Sequence, residues 1–220
     1  MRKIIGLTGV KTSGKSTAFN MIKELVPGAR EIQLAKKLKD VCSQVFDIPR
    51  NYFDDQSKKE ATLDNLIYLD RKNISAVIEA FGFEPLYDSH VRPHVGAILE
   101  SPRRVAQYVG TEVLRSLSED IHCIGAIMGI PADGVFVVTD MRFLNEYEFF
   151  LNQSKSIVKA KFLPIYIQSN RAEAALGKEI HPSELQVFEV AKKCKRLENN
   201  QSLQELKANL TNLINEFIED

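Results

Sequence analysis

The stretch Gly9-Val10-Lys11-Thr12-Ser13-Gly14-Lys15-Ser16 places two glycines, a lysine and a hydroxyl at the G-x-x-x-x-G-K-[ST] spacing. This pattern holds phosphate. Gly9 and Gly14 let the backbone curl so that successive N–H groups face one concavity. Lys15 is placed to reach the outer phosphates of a nucleoside triphosphate, and the Ser16 hydroxyl to ligate Mg²⁺. Thr12, Ser13 and Thr17 complete the expected ATP-binding segment.

Such a loop works only between a strand and a helix, because the helix N-terminus adds partial positive charge to the nest. Lys3 to Thr8 reads as a short buried strand, and Ser16 to Leu25 as a helix with Phe19, Ile22 and Leu25 at helical spacing. Further along, Val135-Phe136-Val137-Val138-Thr139-Asp140 is an apolar run ending in an acid. A buried parallel strand that delivers a carboxylate to the edge of a phosphate site has this form, so Asp140 joins Ser16 as a candidate metal ligand.

Arginines supply the remaining charge. Arg142 follows that strand, Arg171 follows an apparent strand over 162–168, and Arg103 and Arg104 stand side by side. A guanidinium suits phosphate oxygens because its planar fork of donors is always charged. The plain alternative for each is a surface ion pair. Gln107, one turn beyond the arginine pair and just before Gly110-Thr111, offers an amide edge that can pair with a nucleobase. A solvated helix position is its plain alternative.

The remaining composition excludes several classes. With 220 residues, the chain fits one α/β domain carrying an inserted helical region. Twenty-nine basic residues balance twenty-nine acidic ones, so no overall field favours a nucleic-acid polymer or an anionic membrane. Cys42, Cys123 and Cys194 are widely spaced and read as free thiols. His90, His94, His122 and His181 form no metal-ligand pattern. No apolar run approaches a membrane span, and the N-terminus lacks a cleavage site, so a soluble, cytoplasmic protein is expected.

In chain order, Pro27-Gly28 ends the first helix and Arg30 to Ala35 reads as a second strand. Leu34, Leu38, Val41 and Val45 mark a helix ending near Pro49. Leu63, Leu66, Ile67, Ile74, Val77, Ile78 and Phe81 predict one helical stretch, followed by an irregular segment from Gly82 to Pro93. Ser101-Pro102 starts a helix over 102–117, and another runs from about Glu119 to Met128. Asn145 to Asn152 reads as helix, Ser169 to Pro182 as loop, Pro182 to Cys194 as helix, Arg196 to Glu198 as strand, and Leu203 to Ile218 as a closing helix. Strands alternating with helices predict a three-layer α/β fold with a five-stranded parallel sheet whose first strand is central.

Several blocks in this order resemble the bacteriophage-type deoxynucleoside monophosphate kinases of the P-loop nucleoside monophosphate kinase superfamily. They are the phosphate loop, Ala35-Lys36-Lys37-Leu38-Lys39, Arg103-Arg104-Val105-Ala106-Gln107-Tyr108-Val109-Gly110-Thr111-Glu112, Thr139-Asp140-Met141-Arg142-Phe143-Leu144-Asn145-Glu146, His181-Pro182-Ser183-Glu184 and Asn199-Asn200-Gln201-Ser202-Leu203-Gln204-Glu205-Leu206. The resemblance spans nearly the whole chain. It implies the P-loop kinase fold and transfer of the ATP γ-phosphoryl group, with Mg²⁺, to a deoxynucleoside 5′-monophosphate. It further implies that Lys11, Lys39, Arg103, Arg104, Gln107, Gly110 and Thr111 bind the acceptor. Lys15, Arg104, Asp140, Arg142 and Arg171 would serve catalysis, with Arg171 on a lid over about 169–182 and Asn199 beside the adenine. A helical excursion at about 50–130 would carry the acceptor site within a single domain, and a homodimer is left open. Lys36 and Lys37 stand where the family often has an acid and a proline, and Cys123 where it often has a tryptophan. Both departures bear on the choice of base.

The absence of a His–carboxylate pair near the loop is consistent with this chemistry. A monophosphate has a second pKa of ~6 and is already a dianion near neutrality, so its oxygen needs no general base. Two alternatives remain: another small-molecule kinase such as one acting on dephospho-coenzyme A, and a nucleotide-dependent switch or ATPase without an acceptor.

Overall fold

In the computed structural model of the protein, residues 1–128, 130–155, 160–176 and 182–219 are described. In chain order the regular elements are β1 (Arg2–Thr8), α1 (Lys15–Leu25), β2 (Arg30–Ile32), α2 (Lys36–Phe46), α3 (Gln56–Lys59), β3 (Ile67–Tyr68), α4 (Arg71–Ala80), β4 (Ile98–Leu99), α5 (Pro102–Tyr108) and α6 (Ile121–Ile127). They continue with β5 (Gly134–Val138), α7 (Leu144–Lys155), β6 (Ala160–Gln168), α8 (Asn170–Ala174), α9 (Pro182–Ala191), β7 (Lys195–Glu198) and α10 (Leu203–Glu219). The chain divides into two compact units, one of residues 1–33 with 129–220 and one of residues 34–128.

The first unit is the α/β part. Its five strands run in the order β2-β5-β1-β6-β7, every pair parallel, with β1 in the middle. Strands buried on both faces need side chains that pack in both directions. Ile5 and Leu7 of β1 pack with Val137 of β5, Ile165 and Ile167 of β6, Ala18 and Ile22 of α1 and Leu206, Leu210 and Ile214 of α10. On the other side, Tyr147 and Phe150 of α7 stack against Phe162, with ring centroids 5.8 Å away in each case. Val187 of α9 packs with Val10 and Tyr166. Helices thus cover both faces of the sheet, the expected three layers.

The second unit is mainly helical. Leu38, Val41, Cys42 and Phe46 of α2 share one core with Ile74, Val77 and Ile78 of α4, Val105 of α5 and Ile121 of α6. It departs from the sequence reading in three places. The helix expected through 63–81 starts only at Arg71, because Asp70 accepts from Asn73 N–H while the Asn73 side chain accepts from Asp70 N–H. The residues before it extend instead: β3 pairs antiparallel with β4, and the Leu63 N–H donates to the Glu100 carbonyl at 2.8 Å. The segment expected to be irregular holds a wide π turn over Tyr87–Val91 and a 3₁₀ turn over Arg92–His94. The helix expected over 102–117 is α-helical only to Tyr108 and then widens into a π turn at Val109–Leu114.

Smaller shifts occur at element ends. The second strand stops at Ile32, and Asp47, with φ 53°, ends α2 in the left-handed region. Part of the loop expected from Ser169 is helix α8, whose first turn is capped by Ser169 Oγ accepting from Ala172 N–H. Residues 177–181 of that loop, including His181, lie outside the described residues.

Candidate functional site

In a parallel sheet every strand ends on the same edge, and ligands bind outside that edge. In the α/β unit four adjacent strands end there: β5, β1, β6 and β7. The segments leaving them carry Asp140 and Arg142, the phosphate loop, Arg171 and Asn199, in that order across the sheet. The topology therefore gathers at one edge of a single unit residues separated by most of the chain.

The loop has the backbone that its glycines allow. Gly9 has φ 152°, Thr12 65° and Gly14 106°. A side chain at position 9 would meet Ser13 Oγ at 2.5 Å and the Ile167 carbonyl at 2.8 Å. Gly14 is the N-cap of α1 and contributes no side-chain cap, and the Ala18 N–H closes the first turn on the Gly14 carbonyl at 2.9 Å. A helix start without a side-chain cap is a natural anion site. The Lys15 ammonium folds back over the loop, donating to the Gly9 carbonyl at 2.5 Å and the Val10 carbonyl at 2.8 Å. Ser13 is fully buried and its hydroxyl lacks a hydrogen-bond partner, as does that of Thr8. Lys11, Thr12 and Ser16 are exposed, and Thr17 is half-buried.

On one side of the loop, the Thr139 N–H donates to the Ile32 carbonyl at 3.2 Å and its hydroxyl to Glu31 at 2.7 Å. This pins the segment that carries Asp140, itself half-buried. Glu146, only 4% exposed, accepts from the backbone N–H groups of Arg142 at 2.7 Å and Phe143 at 3.1 Å. A carboxylate at the third position of α7 thereby caps its own helix, where the helix dipole favours negative charge. The main chain of Arg142 is held by that cap. The role of Glu146 was missed from the sequence, although an acid three residues after the helix start is a capping signal.

On the other side, Arg171 is exposed on α8. The Glu173 carboxylate, two residues on, accepts from the Tyr166 hydroxyl at 2.6 Å, and burial together with that carboxylate pushes the phenol well above its ordinary pKa. The Asn199 side chain reaches the phosphate loop, donating from Nδ2 to the Ser13 carbonyl at 2.9 Å. It also sits against Gly14, where a Cβ would collide with the Asn199 Nδ2.

In the helical unit, α5 is capped at its start by Ser101 Oγ, which accepts from Arg104 N–H, and has Pro102 in its first turn. Arg104, Gln107 and Thr111 are exposed. Arg103 lies in an ion pair with Glu60, Nε to Oε1 2.5 Å. Lys39 pairs with Asp54 at 2.8 Å, within a chain in which Arg50 also meets Asp54 and Asp40. Burial works upward on both carboxyls, yet the hydrogen bonds and charges of Arg50 with Lys36 on Asp40, and of Lys39 with Arg50 on Asp54, outweigh it and hold both below the ordinary aspartate value. Gly110 is buried; a side chain there would meet Leu38 Cδ2 at 2.7 Å. Its carbonyl lies 3.1 Å from His122 Nε2.

Among the described residues, no cluster of three or more His, Cys, Asp or Glu could hold a metal ion by itself. A divalent cation would need oxygen from a bound nucleotide as well, the usual habit of Mg²⁺. The described residues contain no helix long and apolar enough to cross a membrane.

No family model matches the chain, and no curated protein does. Two solved structures align over almost its whole length. A dephospho-CoA kinase from Campylobacter jejuni is 17% identical with a TM-score of 0.45, covering 100% of this chain and 98% of its own. The protein TT1252 from Thermus thermophilus is also 17% identical with a TM-score of 0.45, covering 98% of this chain and 97% of its own. Likeness at this level does not carry a substrate from one chain to another.

Proposed function

We propose that the protein is an ATP-dependent small-molecule kinase of the P-loop kinase superfamily. The observation that carries this reading is the loop from Gly9 to Ser16. It follows the central strand, adopts left-handed backbone at Thr12 and Gly14, and hands Lys15 to the first turn of a helix. The residues present fit a triphosphate. Position 9 has room for backbone alone, and the Lys15 ammonium donates to the Gly9 and Val10 carbonyl oxygens, which a phosphate can replace.

ATP bound there supplies the γ-phosphoryl group. Lys15 leaves the carbonyls of Gly9 and Val10 and meets the charge that gathers in phosphoryl transfer. Ser16 and Asp140 would supply oxygen to hold Mg²⁺, which would offset negative charge on the phosphates. Arg142 and Arg171 balance negative charge from the two sides of the loop. Catalysis consists of positioning and charge stabilisation, and the acceptor dianion needs no base.

For the acceptor we propose a deoxynucleoside 5′-monophosphate. The reading rests on the Arg103-Arg104-x-x-Gln107-x-x-Gly110-Thr111 block, whose arginines suit a phosphate and whose amide suits a base. Dephospho-coenzyme A is the second reading, and it is the acceptor named for one of the two aligned structures. A switch or ATPase without an acceptor is disfavoured by the concentration of arginine over 103–115. A coupled ADP-release assay with a panel of deoxynucleoside monophosphates, dephospho-coenzyme A and no acceptor separates the three. Release at the same rate without any acceptor would sink the kinase reading.

A further inference from the structure

Asn199 lies at the end of β7, and its side chain crosses to a segment 186 residues earlier in the chain. Its amide holds the Ser13 carbonyl at 2.9 Å, while the Ser13 N–H donates to the Val10 carbonyl at 3.2 Å. Both sides of Ser13 are therefore tied. A trans peptide points its C=O and the next N–H in opposite directions. With the Ser13 carbonyl drawn toward Asn199, the Gly14 N–H must point away from Asn199. One side-chain hydrogen bond thus sets the orientation of the peptide that precedes Lys15.

The same turn reaches α8. The Asn199 N–H donates to the Gln168 carbonyl at 2.8 Å, and the Asn200 side chain accepts from Asn170 N–H at 2.7 Å. Asn170 is the first residue of α8, and Arg171 follows it. Two adjacent asparagines therefore bind three segments: the phosphate loop, the end of β6 and the start of the helix that carries Arg171. Gly14 fits this arrangement twice over, once by its φ of 106° and once because Asn199 fills the space of a Cβ.

We propose that the Asn199–Asn200 turn is a latch that sets the shape of the phosphate loop and ties it to the Arg171 helix. Asn199 is its positioning residue, acting on nucleotide through Ser13 and Gly14 rather than by touching the adenine. The inference rests on the ATP site proposed above for its catalytic consequence, and on geometry alone for the latch.

The test uses the full chain, with Asn199→Ala, Asn199→Asp and Asn199→Ser. Backbone hydrogen exchange over residues 9–17 is measured first, without nucleotide. Binding of ATP and GTP and the kinetic constants follow. One hydrogen bond of about 1 kcal/mol corresponds to about fivefold, so Asn199→Ala should exchange about fivefold faster in the loop and weaken ATP and GTP by a similar factor. Asn199→Asp keeps the size but offers the Ser13 carbonyl a second acceptor, so it should be worse than alanine in both readouts. The serine variant, retaining a hydroxyl, keeps the measurement available should alanine fail to fold. KM for the acceptor should stay near the native value in all three. Loop exchange unchanged in the variants, or a loss confined to ATP with GTP spared, would overturn the latch. A native protein that binds no nucleotide, with loop exchange still raised in the variants, would instead retain the latch and remove the kinase reading.

Discussion

Arg103 and Glu60 meet as charges, with Nε 2.5 Å from Oε1, yet the N–H of that nitrogen is not directed at a hydrogen-bond acceptor. Both side chains are more than one-third exposed, so the pair is worth at most about 1 kcal/mol. An incoming phosphate can therefore take Arg103 from Glu60 at small cost. Glu60→Gln should release the guanidinium and lower KM for the acceptor by up to about fivefold, leaving KM for ATP unchanged. A raised acceptor KM would mean that Glu60 itself helps to bind.

Lys15→Ala removes the charge that the loop stores on its own carbonyls. The mutant should fold, since Lys15 is only half-buried, but kcat should fall on the order of 10²-fold or more. Circular dichroism with steady-state kinetics checks both halves. Near-native turnover from a folded Lys15→Ala protein would end the phosphate-loop assignment.

Arg104 and Gln107 stand about one turn apart on α5 and are both exposed. Every nucleotide acceptor carries the same phosphate, so Arg104→Ala should raise KM for all monophosphates alike. Bases differ in their hydrogen-bonding edges, so Gln107→Ala should raise KM unequally across dGMP, dTMP and dCMP. KM for ATP should change little in either. Equal losses for Gln107→Ala would remove it from base recognition.

The sequence was most legible where local chemistry and topology agree. The glycine spacing announced the loop, and the alternation of apolar runs announced all five parallel strands, with β1 central as expected. It was least legible in the helical unit. Leu66 and Ile67 match a helical period, but pairing with Ile98–Leu99 and the Asp70–Asn73 cap settle the matter the other way. A two-residue ribbon leaves almost no periodic trace, whereas the cap could have been read from Asp70. Gly110, read from the sequence as an acceptor contact, lies in the π turn after α5, where a Cβ would meet Leu38, a packing constraint that the sequence does not show. Glu60, Glu146 and Asn200 act through the main chain or through an arginine, and residue type alone does not reveal such roles.

His122 makes a prediction about acid. Burial, and then the charge of Arg115, push its imidazole down to about 4 against the opposing pull of the Gly110 carbonyl. Its pKa in the unfolded chain is about 6.5, so between the two values the unfolded state binds the proton more readily. The native state is therefore favoured above about pH 6.5 and loses stability as pH falls toward about 4, by about 3 kcal/mol in all. Denaturant titrations across that range should show the slope in the native protein and a shallower one in His122→Asn. Identical slopes would assign the acid sensitivity to other groups.

A competition between acceptors decides whether the protein transfers a phosphoryl group from ATP to a small molecule. The native chain is incubated with ATP, Mg²⁺ and an equimolar mixture of dGMP, dTMP, dCMP, dAMP and dephospho-coenzyme A, and the products are identified by mass. ADP should appear together with an equal amount of at least one deoxynucleoside diphosphate, and Lys15→Ala should form neither. Coenzyme A with an equal amount of ADP and no deoxynucleoside diphosphate would replace the acceptor with the second reading, and ADP with free phosphate alone would contradict the kinase.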